Sequence, residues 1–219
     1  MSRKAFLDLI SLSAVFWLTW YFKALFPLGF QGASVVIATA LAGLFIIRLR
    51  GLSFEEIGFV PRVLNRELAK EVMQVAFMIF AVQFLGILIV GFLLGAPDQG
   101  SAVTNQPTTI AGFLLDIFFM TWLVTGLGEE LIFRGIVLNR LRVLFNDEGS
   151  NVYLISAIQA VWFGAGHQSH GFSGVLITGF IGFVLGTYLL KSPKSGLWPL
   201  ILAHALIDTV VLTISFVGR

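Results

Sequence analysis

Six ionisable residues stand inside otherwise apolar sequence: Glu129, Glu130 and Arg134 in GLGEELIFRG, His167 in FGAGH, and His204 and Asp208 in LAHALID. A charged group at the bilayer centre costs about 2.5–3.5 kcal/mol on insertion scales, so such groups face inward and have a task. A carboxylate stripped of water holds a proton more firmly and suits a general base. Neutral imidazoles can donate hydrogen bonds to a developing oxyanion. Two His and one Glu are also the ligand set of a hydrolytic zinc site, which makes Glu129, His167 and His204 candidate ligands of a divalent metal. No HExxH occurs, which excludes a zincin helix. The letters leave metal-free and metal-assisted hydrolysis both open.

Spacing predicts how these groups meet. Glu130 and Arg134 are i,i+4 with the acid first, the favoured order for a helical ion pair, and their expected role is structural and electrostatic support. His204 and Asp208 share one helical face by the same spacing. Glu129 sits about 100° round the helix from Glu130 and can face elsewhere. At a rise of about 1.5 Å per residue, Glu129 and His167 both lie some 22–24 Å from the loop near 145–151, with His204 shallower, so the three can converge. Gly126, Gly128 and Gly135 flank the acids, and Gly164 and Gly166 precede His167. Small residues let membrane helices approach closely. The stretch FGAGHQSHGFSG can also break the helix, and irregular backbone is tolerated there only if it lines a cavity or is buried in protein. Each polar residue has a plainer role too: a buried pair for Glu130 and Arg134, a helix–helix hydrogen bond for His204 and Asp208, an interfacial His for His167 and His170.

The elements that must position this set are membrane spans. Hydrophobic residues make up 57% and charged ones 12% of the chain, and mean hydropathy is +0.92. A soluble domain carries about 25% charged residues. Seven apolar segments, near 5–26, 29–47, 72–94, 110–134, 152–167, 172–190 and 197–217, predict an all-α polytopic bundle forming a single integral membrane domain over 1–219. The fifth is short and is expected to tilt or to end inside the protein. The first begins MSRKAFLDLI and lacks a small-residue cleavage site, so it reads as a retained anchor. With the N-terminus inside, eleven Lys and Arg residues fall on cytoplasmic loops and only Lys23 and Arg219 fall outside. The inside loop 48–71 reads as a segment lying on the membrane surface, and 95–109 as an outside loop rich in turn residues. Basic residues confined to short loops exclude nucleic acid as a partner, and zero Cys excludes thiolate chemistry. A plasma-membrane location and the lipid bilayer as surroundings follow.

The motifs in order, EExxxR at Glu129–Arg134, FxxxH at Phe163–His167 and HxxxD at His204–Asp208, resemble the CAAX prenyl protease and bacteriocin-processing (CPBP, or Abi) family of intramembrane proteases. The resemblance covers about residues 110–215, a protease-like core, and LSFEEIGF before the third segment also looks like the family's. Asp208 departs from the pattern, since the best-understood members carry Asn there. What the resemblance implies is hydrolysis of a peptide bond in a membrane-associated or lipid-modified protein or peptide, with Glu129 activating water beside His167, His204 and Asp208. Other classes stay open: a catalytically silent scaffold or immunity protein of the same fold, and an ion-coupled transporter. A transporter predicts polar groups on more helices than the first three segments supply.

Overall fold

The computed structural model describes residues 2–27, 30–97, 107–146 and 151–218. Among these every regular element is a helix, with seven principal helices. They are α1 (Arg3–Phe22), α2 (Gln31–Arg50), α3 (Arg66–Leu94), α4 (Ile110–Phe145), α5 (Val152–Ala165), α6 (Gly171–Lys191) and α7 (Trp198–Val217). Side chains that satisfy free backbone N–H groups set several starts. Asn65 accepts from Leu68 N at 2.9 Å and Thr109 from Gly112 N at 3.1 Å. Gly51 (φ 65°) ends α2, and Asn146 (φ 48°) ends α4, in the left-handed conformation common at helix C-termini.

Two boundaries differ from the sequence expectation. The Asn65 cap starts α3 at Arg66, so residues 66–71 belong to a helix rather than to the inside loop. The fourth segment does not stop near 134 but runs on to Phe145, for 36 residues. Six helices are long and apolar enough to cross a membrane, whereas α5 has 14 residues, about 21 Å against a hydrocarbon core of about 30 Å. Most of the expected outside loop 95–109, and Arg219, lie outside the described residues.

The bundle turns apolar side chains outward. Phe77, Phe80, Phe84 and Phe92 on α3 are all more than half exposed, a surface that suits lipid and not water. Its interior is tied by small residues and by one ion cluster. A Cβ on Gly164 of α5 would stand 2.6 Å from the Val175 carbonyl oxygen of α6, so only glycine permits that approach. At one end, buried Asp8 of α1 takes a bidentate bond from Arg50 of α2 (Nη2 2.6 Å) and faces Arg140 of α4 at 3.5 Å. The 51–65 segment docks over that same end instead of only lying on a membrane surface. Ile57 is buried, and the Gly58 carbonyl accepts from Leu197 N at 2.8 Å, while Phe54 stays exposed as expected of a surface segment.

Overpacking the α5–α6 contact tests this interior. Gly164→Val should cost about 1–3 kcal/mol and lower the thermal midpoint in detergent by several degrees. Gly32→Ala, where a Cβ meets nothing within 4 Å, should leave the midpoint in place. Equal midpoints for the two variants would remove close packing as the reason for Gly164.

Candidate active site

The central stretch of α4, Asp116–Val137, is not wound as an α-helix. It closes with the wider i→i+5 pattern, for example Leu138 N–H to Phe133 O. Such winding is rare and occurs mostly near functional sites. It turns fewer degrees and rises less per residue than an α-helix, so the expected 100° step and the depth along α4 do not hold here. Gly128 lets the stretch lie close on α2, since a Cβ there would fall 2.7 Å from Val36 Cγ1.

One carboxylate oxygen organises the polar residues. Glu130 Oε1 accepts from Arg134 Nη1 at 3.1 Å and from His204 Nδ1 at 2.8 Å. Glu130 is 0% exposed and Arg134 1%, so the expected ion pair forms and is fully buried. Its third member, His204, comes from α7 and was not foreseen by i,i+4 spacing. Glu130 Oε2, Arg134 Nε and Arg134 Nη2 are buried with no hydrogen-bond partner among the described residues. A buried pair left partly unsatisfied is poor value as a stabiliser and better explained by a task.

Both histidines have one ring nitrogen occupied. His167 follows the last turn of α5, where Gly166 and the tight Gln168–His170 turn break the helix as the glycine-rich sequence allows. Its Nδ1–H donates to the Phe163 carbonyl at 2.8 Å. With Nδ1 donating in each ring, neutral His167 and His204 present a bare Nε2 lone pair. They can therefore donate to an oxyanion only once Nε2 is protonated, which sharpens the expectation that neutral imidazoles would do so. His204 Nε2 stands 3.6 Å from Asp208 Oδ2, too long for a hydrogen bond.

Two positions mattered more than their letters suggested. The Phe163 ring carries the Arg134 guanidinium at 4.2 Å from its centroid and the His167 ring at 4.7 Å, besides fixing His167 through its carbonyl. Thr125, four residues before Glu129, places its hydroxyl 3.1 Å from Asp208 Oδ2 and 2.8 Å from Thr121 O. A small hydroxyl residue that close to the acids on one helix was the available signal. His170, expected as an interfacial residue, lines the site cavities, its ring stacked 6.2 Å from that of His167.

Glu129 is 9% exposed, and its Oε2 has no hydrogen-bond partner among the described residues. It stands where two cavities meet. One, of about 460 Å³, is lined by His167, His204, Asp208, Gln83 and Thr178 as well as apolar residues. The other, of about 330 Å³, is walled by Phe16, Trp20, Val36, Met120 and Phe133. Glu129, Thr125, Phe163, His167 and His170 border both. A bare carboxylate oxygen and two bare imidazole nitrogens are the donor chemistry of a divalent-metal site. Their placement is not: among the described residues no three His, Asp or Glu side chains stand close enough to hold one ion. No step below is routed through a metal.

Removing one partner of the Glu130–Arg134 pair strands a buried charge, at about 3–5 kcal/mol. Arg134→Leu should therefore lower the thermal midpoint in detergent, and Glu130→Gln combined with Arg134→Gln should recover part of the loss. A stable but inactive Arg134→Leu protein would move this arginine from support to the reacting groups.

Residues 107–210 match the family model described as type II CAAX prenyl endopeptidase, Rce1-like. No curated protein and no solved structure matches the chain. The matched region contains all three ordered motifs and every site residue named above from α4 to α7, and it agrees with the resemblance drawn from those motifs. Over residues 107–210, this chain is similar to the Rce1-like type II CAAX prenyl endopeptidase family.

Proposed function

We propose that the chain is an intramembrane endopeptidase in which Glu129 activates the water that cleaves a peptide bond of a membrane-associated or lipid-modified protein or peptide. The family match over residues 107–210 supports a CAAX-type intramembrane protease in general. The observation that carries the residue assignment is the position of Glu129: a buried carboxylate with an unpaired oxygen, facing cavities of about 460 and 330 Å³ beside two histidines.

The step balances with these groups. Glu129 takes a proton from water as the water oxygen bonds to the carbonyl carbon. The carbonyl oxygen becomes an oxyanion, stabilised by a donor that is already in place. His204, held between the carboxylates of Glu130 and Asp208, is the imidazole suited to carry a proton on Nε2 and offer it to that oxyanion. His167, fixed by Phe163, positions the water or the carbonyl from the opposite wall. Collapse of the intermediate breaks the C–N bond, and the proton held by Glu129 passes to the leaving amine. Glu130 and Arg134 position His204 and supply charge to the site.

Glu129→Gln keeps shape and hydrogen bonding but cannot take the proton. It should lower peptide cleavage by purified protein 10²- to 10⁴-fold, with helical content unchanged. Turnover above about a tenth of wild type would remove Glu129 from the role of base. In the same assay a chelator of divalent ions should leave turnover within about twofold of the untreated rate, and loss restored by added zinc would instead establish a metal enzyme. His167→Ala and His204→Ala should each lose most activity, with the double variant little worse than either, because residues acting as one unit are not additive. Losses that simply add in free energy would separate the two histidines into independent roles.

A further inference from the structure

The cavity wall beside Glu129 carries acids and no fixed cation. The carboxylates of Glu129 and Asp208 line the larger cavity together with histidines, neutral polar groups and apolar side chains such as Ile79, Ile177 and Ile207. Every lining residue comes from the stretches 71–133, 143–190 and 195–218, and none of these contains a Lys or an Arg. Arg134 borders neither site cavity and is committed to Glu130. Three carboxylates, Glu129, Glu130 and Asp208, thus stand against one guanidinium. A proton on His204 offsets a second carboxylate, and one acid is left without a cation.

Asp208 is poorly compensated by its neighbours. The Thr125 hydroxyl has one proton and stands 2.8 Å from the Thr121 carbonyl and 3.1 Å from Asp208 Oδ2, so the carboxylate receives at most a share of it. His204 Nε2 lies 3.6 Å from the same oxygen, beyond hydrogen-bond length. Among the described residues no hydrogen bond reaches Oδ1. On the same wall Glu129, 9% exposed, has Oε2 bare as well. Carboxylates in apolar surroundings cost free energy until a positive partner arrives. Thr125 precedes Glu129 by four residues, so the Asp208 carboxylate lies about one helical turn along α4 from the base. An extended peptide covers that distance in one to two residues, at about 3.3 Å per residue.

Together with the proteolytic reading above, on which this rests, we infer that Asp208 sets specificity by pairing with a Lys or Arg side chain of the substrate within about two residues of the bond cleaved. A basic side chain supplies the charge that the wall lacks, and its methylene stem suits the apolar remainder of the cavity. An acidic side chain at the same place meets Asp208 and Glu129 together and is rejected, so the acid acts against wrong substrates as well as for right ones. Asn, which the best-understood members of the resembled family carry at this position, has the same shape and no charge. The preference therefore belongs to the Asp form.

The test is a charge preference and its loss. Purified protein in detergent is given a library of acylated random peptides, and the bonds cleaved are mapped by mass spectrometry. On matched peptides, Lys or Arg near the cleaved bond should exceed Asp or Glu by about tenfold or more in kcat/KM. In Asp208→Asn, whatever its absolute rate, that ratio should shrink to within about threefold. The same peptides are titrated onto Glu129→Gln and onto Glu129→Gln with Asp208→Asn, where the ratio of dissociation constants should change likewise. A preference that is absent, or that persists in Asp208→Asn, would overturn the inference; an Asp208 held neutral by its own proton would give the first of these. Charge-selective binding that depends on Asp208, with no peptide cleaved by the unmutated protein, would keep Asp208 as the selecting residue and remove the proteolytic reading. Peptides neither cleaved nor bound would overturn both.

Discussion

The polar interior hangs on one oxygen atom. Glu130 Oε1 receives both the Arg134 guanidinium from its own helix and the His204 imidazole from α7. Unpaired, any of these three groups would be a severe cost at this depth. Sharing one acceptor makes α4 and α7 interdependent: the register that satisfies Arg134 is the register that presents His204 Nε2 to the cavity. Phe163 extends the same constraint to α5, because the ring that covers Arg134 also packs on His167. Three helices are thereby brought to one point by two hydrogen bonds and a cation lying on an aromatic face.

Around that point the backbone departs from regular helix twice. The i→i+5 winding of Asp116–Val137 re-aims consecutive acids, so that Glu130 turns into the network while Glu129 keeps an oxygen free between the cavities. The break after Ala165 ends α5 before it can cross a full bilayer and leaves His167 on a tight turn at the cavity wall. Both departures give up ideal helical hydrogen bonding where polar side chains need placing, and both are covered by other helices, as irregular backbone at membrane depth requires.

The two ends of the molecule then divide the work. Ions and a docked loop seal one end: Asp8 holds Arg50 and Arg140, and the Gly58 carbonyl holds the start of α7. Among the described residues the other end carries few charges, and the site cavities extend toward it.

Much of this was legible in the letters. Apolar runs of about twenty residues announce spans because nothing else satisfies the backbone in lipid, and ionisable residues inside them announce an interior site because lipid does not tolerate them. The i,i+4 spacing of Glu130 and Arg134 was enough to expect their pair, and the glycine-rich run before His167 enough to expect a break. What the letters could not contain is what depends on neighbours distant in sequence. That Glu130 also holds His204, 74 residues away, that Phe163 bridges Arg134 and His167, and that Thr125 meets Asp208 are consequences of helix contacts. The same holds for the widened winding of α4, which no residue pattern signals. A membrane sequence determines which segments cross and which groups must be hidden, because each helix satisfies its own backbone. Only the packed bundle decides which hidden groups share a hydrogen bond.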